Sequence, residues 1–346
     1  MIRVTLAVTL VLLTCLVAQA QQVTSDPGDQ DHRIAASNPL MEPPFSELIG
    51  LWRRTPTDEP YLGPLADGSG DSTRLRWVNI DPHESMLIIG NVVKSPLDGA
   101  NQVRYFHFAA ERIRQDTRGD LIAGFSRSGG LSVQHDGEQS YTYEFKDVIN
   151  RQRLRYTSTC DDQNWRLHTG VYDQETDEWV SFSYEQFERV KQIEPIAPGS
   201  EEPELRIREL GLPSGGTRCY RLAGNVLEHE YGFGNGLHTK ITARLTDSQV
   251  EAFWAFMEET QFREWKKAYS RPGIMDGWHF RFRVIDEEGL YNVRGSNKAP
   301  QRPGVKENGP YLGIVGEVCS KLLGFIAEAD EVYLTPTCSQ EETLDW

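Results

Sequence analysis

The sequence predicts a β-rich protein in two parts: an all-β antiparallel meander barrel of 8–10 strands, then an α+β unit with an antiparallel sheet and two helices. Short runs that alternate apolar and polar residues recur from 45 to 191, with turn signals between them. A break rich in Pro and Glu covers 192–216. Beyond it, strand periods mix with helical ones up to 334. The 346 residues are enough for two domains at roughly 100–200 residues each. With 8 Trp, 13 Tyr and 14 Phe the chain can build real cores, which excludes a disordered protein. A net charge of −15 argues against nucleic acid or anionic membrane as the main partner, because phosphate binding needs a basic field.

Residues 1–20 read as a secretory signal peptide. Arg3 gives the positive start, Val4 to Val17 the apolar run, and Ala18-Gln19-Ala20 the cleavage signal. The run is too short to span about 30 Å of hydrocarbon, so no transmembrane segment is expected after cleavage, and losing Arg3 makes the chain more acidic still. Lipid anchoring at Cys15 is set aside, because Thr14 stands where a small residue normally precedes the modified Cys. The expected location is the periplasm or the extracellular space. Residues 21–44 are polar, Pro-containing and aperiodic, a flexible leader. An oxidising compartment favours disulfides among Cys160, Cys219, Cys319 and Cys338. Three pairings exist. Cys219–Cys319, joining a strand to a helix over it, with Cys160–Cys338 tying down the tail at 335–346, is favoured; buried thiols outside any bridge are the alternative.

In the first unit, 45–191, strands are expected at Arg74–Asp81, Met86–Val93, Val103–Ala109, Leu121–Ser126, Leu131–His135, Ser140–Phe145, Arg153–Thr159, Trp165–Tyr172 and Trp179–Val190. Closing such a meander removes its exposed edges. Gly50-Leu51-Trp52 resembles the G-x-W signature that opens lipocalin-like (calycin) barrels, and Arg189 stands where that family places an Arg over the Trp. The resemblance covers about 145 residues and is nearer to uncharacterised secreted bacterial barrel domains than to true lipocalins. It implies a cation–π contact between Trp52 and Arg189 that closes the barrel end. Thr176-Asp177 matches the start of the family's T-D-Y motif, but Glu178 replaces the Tyr.

The segment 192–216 reads as an acidic Pro-rich linker, with a short helix at Leu205–Leu210. In the α+β unit, about 205–334, strands are expected at Thr217–Ala223, Val226–Tyr231, His238–Leu245, Trp278–Val284 and Leu290–Arg294. Thr246 and Gln249 form a capping box that starts a helix, with Val250, Phe253, Trp254, Met257 and Trp265 recurring at helical spacing through the segment. A last helix covers about Tyr311 to Glu328. A two-residue turn around Gly234-Asn235 or Asn235-Gly236 puts His229 and His238 on one face as surface histidines, with Glu228 and Glu230 on the other.

Recognised catalytic and metal motifs are missing. Gly124-Phe125-Ser126-Arg127-Ser128 lacks the closing Gly and the following helix of a nucleophile elbow. Some small barrels of this kind hold haem, for which His107, His135 and His168 are the candidate ligands, but a solvent-facing or hydrogen-bonded histidine is the expectation at each. No metal site, cofactor or catalytic residue is assigned. Tyr269, Asp276, Arg294 and Asn297 are the candidates for a loop-borne binding edge. Arg281 and Arg283 make a basic stripe, as do Arg151, Arg153 and Arg155, and pairing with the chain's 51 acidic residues is the expectation for both. The leading functional expectation is non-enzymatic: the barrel binds a small apolar or amphipathic ligand against Trp77, Phe106, Tyr141, Tyr143, Tyr156, Trp165 and Tyr184. The alternatives are an envelope protein–protein interaction module, marked by an exposed apolar patch, and a hydrolase without a recognisable motif.

Overall fold

Alternation in the sequence becomes sheet wherever one strand face has something to cover it. The computed structural model describes residues 45–55, 72–81, 86–94, 99–109, 113–115, 121–125, 129–130, 132–135, 140–146, 153–191, 193–199, 202–210, 216–233, 237–271, 278–301 and 313–335. A helical turn, α1 (Phe45–Leu48), leads into β1 (Gly50–Thr55), β2 (Ser72–Asp81), β3 (Met86–Lys94), β4 (Asn101–Ala109), β5 (Ile113–Gln115), β6 (Leu121–Phe125), β7 (Gly129–Gly130), β8 (Ser132–His135), β9 (Ser140–Lys146), β10 (Arg153–Cys160), β11 (Asn164–Asp173) and β12 (Glu178–Arg189). Nine of these strands form one antiparallel sheet in the order β4-β3-β2-β1-β12-β11-β10-β9-β8. The chain returns from β12 to pair with β1, so first and last strands meet in the middle.

The expected closure into a barrel is not found. Among the described residues no ladder joins the edges β4 and β8. The chain between them forms β5, β6 and β7, which pair with one another as a separate three-stranded sheet. At three, five and two residues these strands are too short to extend the larger ladder far. β6 lies beside both β8 and β4 without entering their hydrogen bonding.

The second sheet uses β13 (Glu204–Leu210), β14 (Gly216–Ala223), β15 (Val226–Phe233), β16 (Leu237–Arg244), β17 (Ala268–Ser270), β18 (His279–Asp286), β19 (Gly289–Ser296) and β20 (Glu331–Thr335). Their order is β17-β19-β18-β13-β14-β15-β16-β20, and only the β17–β19 pairing is parallel. The expected helix at Leu205–Leu210 is the strand β13, paired on both sides. Its Leu205, Ile207 and Glu209 alternate inward, a period of two that the surrounding Pro and Glu residues had masked as linker. Helices α2 (Asp247–Glu259) and α3 (Ile314–Glu328) cover this sheet, and α2 starts at the expected Thr246–Gln249 capping box.

Helix α3 is apolar nearly all round because it is covered from two directions. Leu51, Leu75, Trp77, Val92 and Val103 of the first sheet share one core with α2, α3 and the second sheet. Polar clasps frame that core. Asn101 donates its backbone N–H to Ser320 Oγ at 2.7 Å, Arg74 meets Glu328 at 2.6 Å, and Arg53 Nη2 donates to the Ala329 carbonyl at 2.5 Å. Arg218 Nη2 donates to the Val103 carbonyl at 3.2 Å.

The β15–β16 connection has three residues, 234–236, not two, which shifts the register by one. His229 pairs with Ile241 and His238 with Gly232, a register that does not set the two histidines in one row, and the His238 side chain lies outside the described part. His229 is buried in the core, and Glu228 on the other face forms ion pairs with Lys240 at 2.5 Å and Arg221 at 3.0 Å. The favoured disulfide pattern is also corrected. Cys160, Cys219 and Cys319 are buried and in no disulfide, and Cys338 lies outside the described residues.

Candidate functional site

The end of the first sheet is built around Trp52. Its indole donates to the Leu48 carbonyl at 2.8 Å and packs edge-on against Trp165 at 5.6 Å. The Arg189 guanidinium lies 4.1 Å from the Trp52 ring centre, in the register pair Trp52–Arg189. Its three nitrogens donate to the carbonyls of Asp162 at 2.7 Å, Ile49 at 2.7 Å and Glu47 at 2.5 Å. Gly50 has φ of +135°, and a Cβ there would come within 2.9 Å of Arg189 Nη1. The glycine of the G-x-W triplet thus makes room for the guanidinium.

Beside Trp52 in the ladder stands Arg76. This residue is nearly buried, 8% exposed, and packs against the adjacent rings of Trp165 and Phe187, whose centres lie 4.6 and 4.5 Å from its guanidinium carbon and 5.7 Å from each other. Nε donates to Asn91 Oδ1 at 2.5 Å. Nη2 faces Glu185 Oε2 at 3.7 Å, close enough for ion pairing and too far for a good hydrogen bond. A guanidinium offers five N–H donors, so this one has donors to spare. Behind it Trp165 Nε1 donates to the buried Ser158 Oγ at 2.8 Å. The result is a cation held against a pair of adjoining aromatic rings, next to a carboxylate and an amide.

Of the expected ligand-lining residues, Trp165 belongs to this group. Trp77 does not. It pairs with Gly90 and Leu51, faces the core shared with the second sheet, and meets the His229 ring edge-on at 6.3 Å. Tyr184 pairs with His168 and alternates with Glu185, so it points away from Arg76. Phe106 pairs with Ile89, Tyr141 with Ser158 and Tyr143 with Tyr156; the side chains of these four aromatic residues lie outside the described part. Sequence reasoning missed Arg76. Its signal was present: Arg76, Val78 and Ile80 share one strand face, and an Arg in an apolar row is a buried cation.

A second polar group is sealed between the sheets. Glu209 accepts from Trp278 Nε1 at 3.2 Å, and burial pushes its carboxyl above the usual range against the pull of Arg218. Burial, aided by Arg218, holds the His229 ring down to about 3. The ring stacks on Tyr220 at 4.6 Å, and Nδ1 lies 3.3 Å from the Cys219 carbonyl. Burial also raises the Cys319 thiol, and pushes Cys160 up to about 12. Neutral imidazole and protonated thiols at these positions are inert near neutral pH.

The expected loop edge disperses. Arg294 lies in β19. Tyr269, in β17, accepts the Lys266 backbone N–H at 3.0 Å. Asn297 is buried at φ of 54° and donates its backbone N–H to the Trp278 carbonyl. Asp276 and Ser126 lie outside the described residues. Arg155 covers the Trp179 ring at 4.1 Å. Among the described residues no three His, Cys, Asp or Glu side chains converge as a metal ion requires, and no helix is long and apolar enough to cross a membrane. The large exposed hydrophobics among the described residues are Val180 and Leu290, on different sheets.

No family model matches this chain, and no curated protein does. Among solved structures, the crystal structure of the uncharacterized protein YLR301w from Saccharomyces cerevisiae aligns at 11% identity and a TM-score of 0.20, covering 75% of this chain and 92% of that one. A likeness that weak carries no argument about fold or function.

Proposed function

We propose that this is an exported binding protein with a calycin-like first sheet, which takes a small amphipathic molecule on the Trp52–Trp165 face. Arg76 receives the polar end, and the aromatic rows receive the apolar remainder. One observation carries the reading: a nearly buried guanidinium packed against two adjacent aromatic rings, with a single hydrogen bond to a protein side chain. Desolvating such a cation is costly unless its donors are met. A carboxyl or carbonyl oxygen from a ligand completes them, in the way that apolar pockets orient ligands with a few placed polar groups. The contact of Arg189 with Trp52 supports the calycin-like element, and the apolar run Val4 to Val17, read as a signal peptide, supports export.

The test is native mass spectrometry of the full chain recovered from cells that export it, paired with titration of palmitate followed by tryptophan fluorescence. A co-purifying small acid or ester, with saturable quenching that Arg76→Gln weakens at least tenfold, is the expected result. Asn91→Ala, which loosens Arg76 without removing it, should give a smaller loss. No bound species together with no saturable quenching in the wild type overturns the reading.

A further inference from the structure

The face of the second sheet turned away from the shared core carries two adjacent rows of arginines. One row runs Arg283–Arg206–Arg221 across β18, β13 and β14, and continues to Glu228 on β15. The next runs Arg294–Arg281–Arg208 across β19, β18 and β13. The sequence-based expectation was that such cations pair internally. The first row does so in part: Glu204 takes Arg206 at 2.9 Å and Arg221 at 2.5 Å, and Glu228 takes Arg221 at 3.0 Å.

The second row differs. Among the described residues no carboxylate pairs with the side chains of Arg208, Arg281 or Arg294, nor with neighbouring Arg283. Arg281 and Arg294 are exposed, while Arg208 and Arg283 are half-buried, with Nε atoms that are buried and unbonded. Like charges directly opposite one another on neighbouring strands repel. Strands lie about 4.8 Å apart and same-face residues about 6.8 Å apart along a strand, so four guanidinium groups stand on a patch about 10 Å by 7 Å.

We infer that this patch binds a compact soluble anion bearing two or more phosphate groups. The protein is acidic overall, so a patch of unneutralised cations is a local exception. The residue type matters: the guanidinium fork matches oxyanions in bidentate fashion, and one phosphate has enough oxygens to meet two forks where a carboxylate fills one. The size matters as well. Beyond Arg208 the row meets Glu230, and beyond Arg206 and Arg221 it meets Glu228, so the cations do not continue as a track for a polymer backbone. A flat anionic membrane would meet the chain's general acidity before this patch. This site is on a different sheet from the Arg76 face and does not depend on the reading given to that face.

The experiment is isothermal titration of the full chain with inorganic tripolyphosphate at 50 mM and 150 mM salt, beside the Arg281→Gln/Arg294→Gln double variant. Both side chains are exposed, so the variant keeps its fold, checked by circular dichroism. One saturable site is expected, weakened at least tenfold in the double variant, weakened further by salt, and unchanged in Arg244→Gln, whose partner is Glu331. No saturable binding, or binding that the double variant retains, overturns the inference. So does binding as tight to mixed vesicles that carry phosphatidylserine, or to poly-L-glutamate, as to tripolyphosphate, since either makes the patch a general contact for anionic surfaces.

Discussion

Arg189 shows how much one side chain can hold when its bonds go to backbone. It stacks on Trp52 and caps three carbonyls, two of them around the turn that enters β1. Arg189→Met keeps the stem and removes the donors, leaving those carbonyls to find water. The expected loss is about 2 kcal/mol in urea unfolding, and a loss under about 0.5 kcal/mol would reduce the contact to decoration. His229 gives a pH signature. Its ordinary value of 6.5 falls to about 3 in the folded state, because burial and Arg218 oppose the charged ring. The unfolded chain therefore takes the proton first. Stability from this residue is fully present above 6.5 and declines as pH falls toward 3, by at most about 1.4 kcal/mol per pH unit. His229→Phe keeps a ring on Tyr220 and removes the titration. Urea midpoints at pH 7, 6, 5 and 4 should converge between wild type and variant; parallel curves would reject the assignment. Glu209, raised by burial, acts with the opposite sign, which is why the difference between two proteins is measured and not one profile.

At the scale of the element, alternation made most strands legible, since a half-buried strand writes its burial into the sequence at period two. β2, β3, β4 and β8 to β12 fall within a few residues of expectation. β13 was illegible for a physical reason: its outward residues are Glu and Arg in an acidic, Pro-rich context, and only its partners β14 and β18 reveal the inward Leu205 and Ile207. Which face of β2 turns to which neighbour was illegible too, so Trp77 was placed with the ligand and is found in the core. Its position depends on Gly90 opposite. A Cβ on Gly90 would come within 2.0–2.4 Å of the Trp77 indole, too close for any real contact. Gly90→Ala must therefore push the ring out of a packed core, at about 1–3 kcal/mol. The check is urea unfolding together with near-ultraviolet circular dichroism, and a variant of unchanged stability and unchanged aromatic signal would show that the ring is loosely held.

For the molecule as a whole, the chain passes from one sheet to the other between Arg189 and Glu204, so the expected linker 192–216 overlaps that passage but also takes in strand β13, and the passage is not where the packing divides. Trp77 and Val103 share a core with Tyr220, Phe253 and Leu322, and α3 is clasped by Asn101 and Arg74 from the first sheet. Covering surfaces this apolar is what local patterns cannot display: each half shows its own periodicity, and neither shows that its second face is closed by the other. Arg76 was legible in part: its row-mates Val78 and Ile80 mark a buried face, but the rings of Trp165 and Phe187 that cover it come from distant strands. The consequence is cooperative unfolding. Removing either half exposes apolar faces of both, at about 25 cal/mol for each Å² uncovered, so an unfolded half leaves the other without its cover. In urea, tryptophan fluorescence and far-ultraviolet circular dichroism should trace one coincident transition. Residues 45–191 expressed alone should bind 1-anilinonaphthalene-8-sulfonate strongly through the uncovered Leu51–Trp77 face. Two separated transitions, or a first half that is stable with little dye binding, would mean that the shared core contributes little and that the halves fold as independent domains.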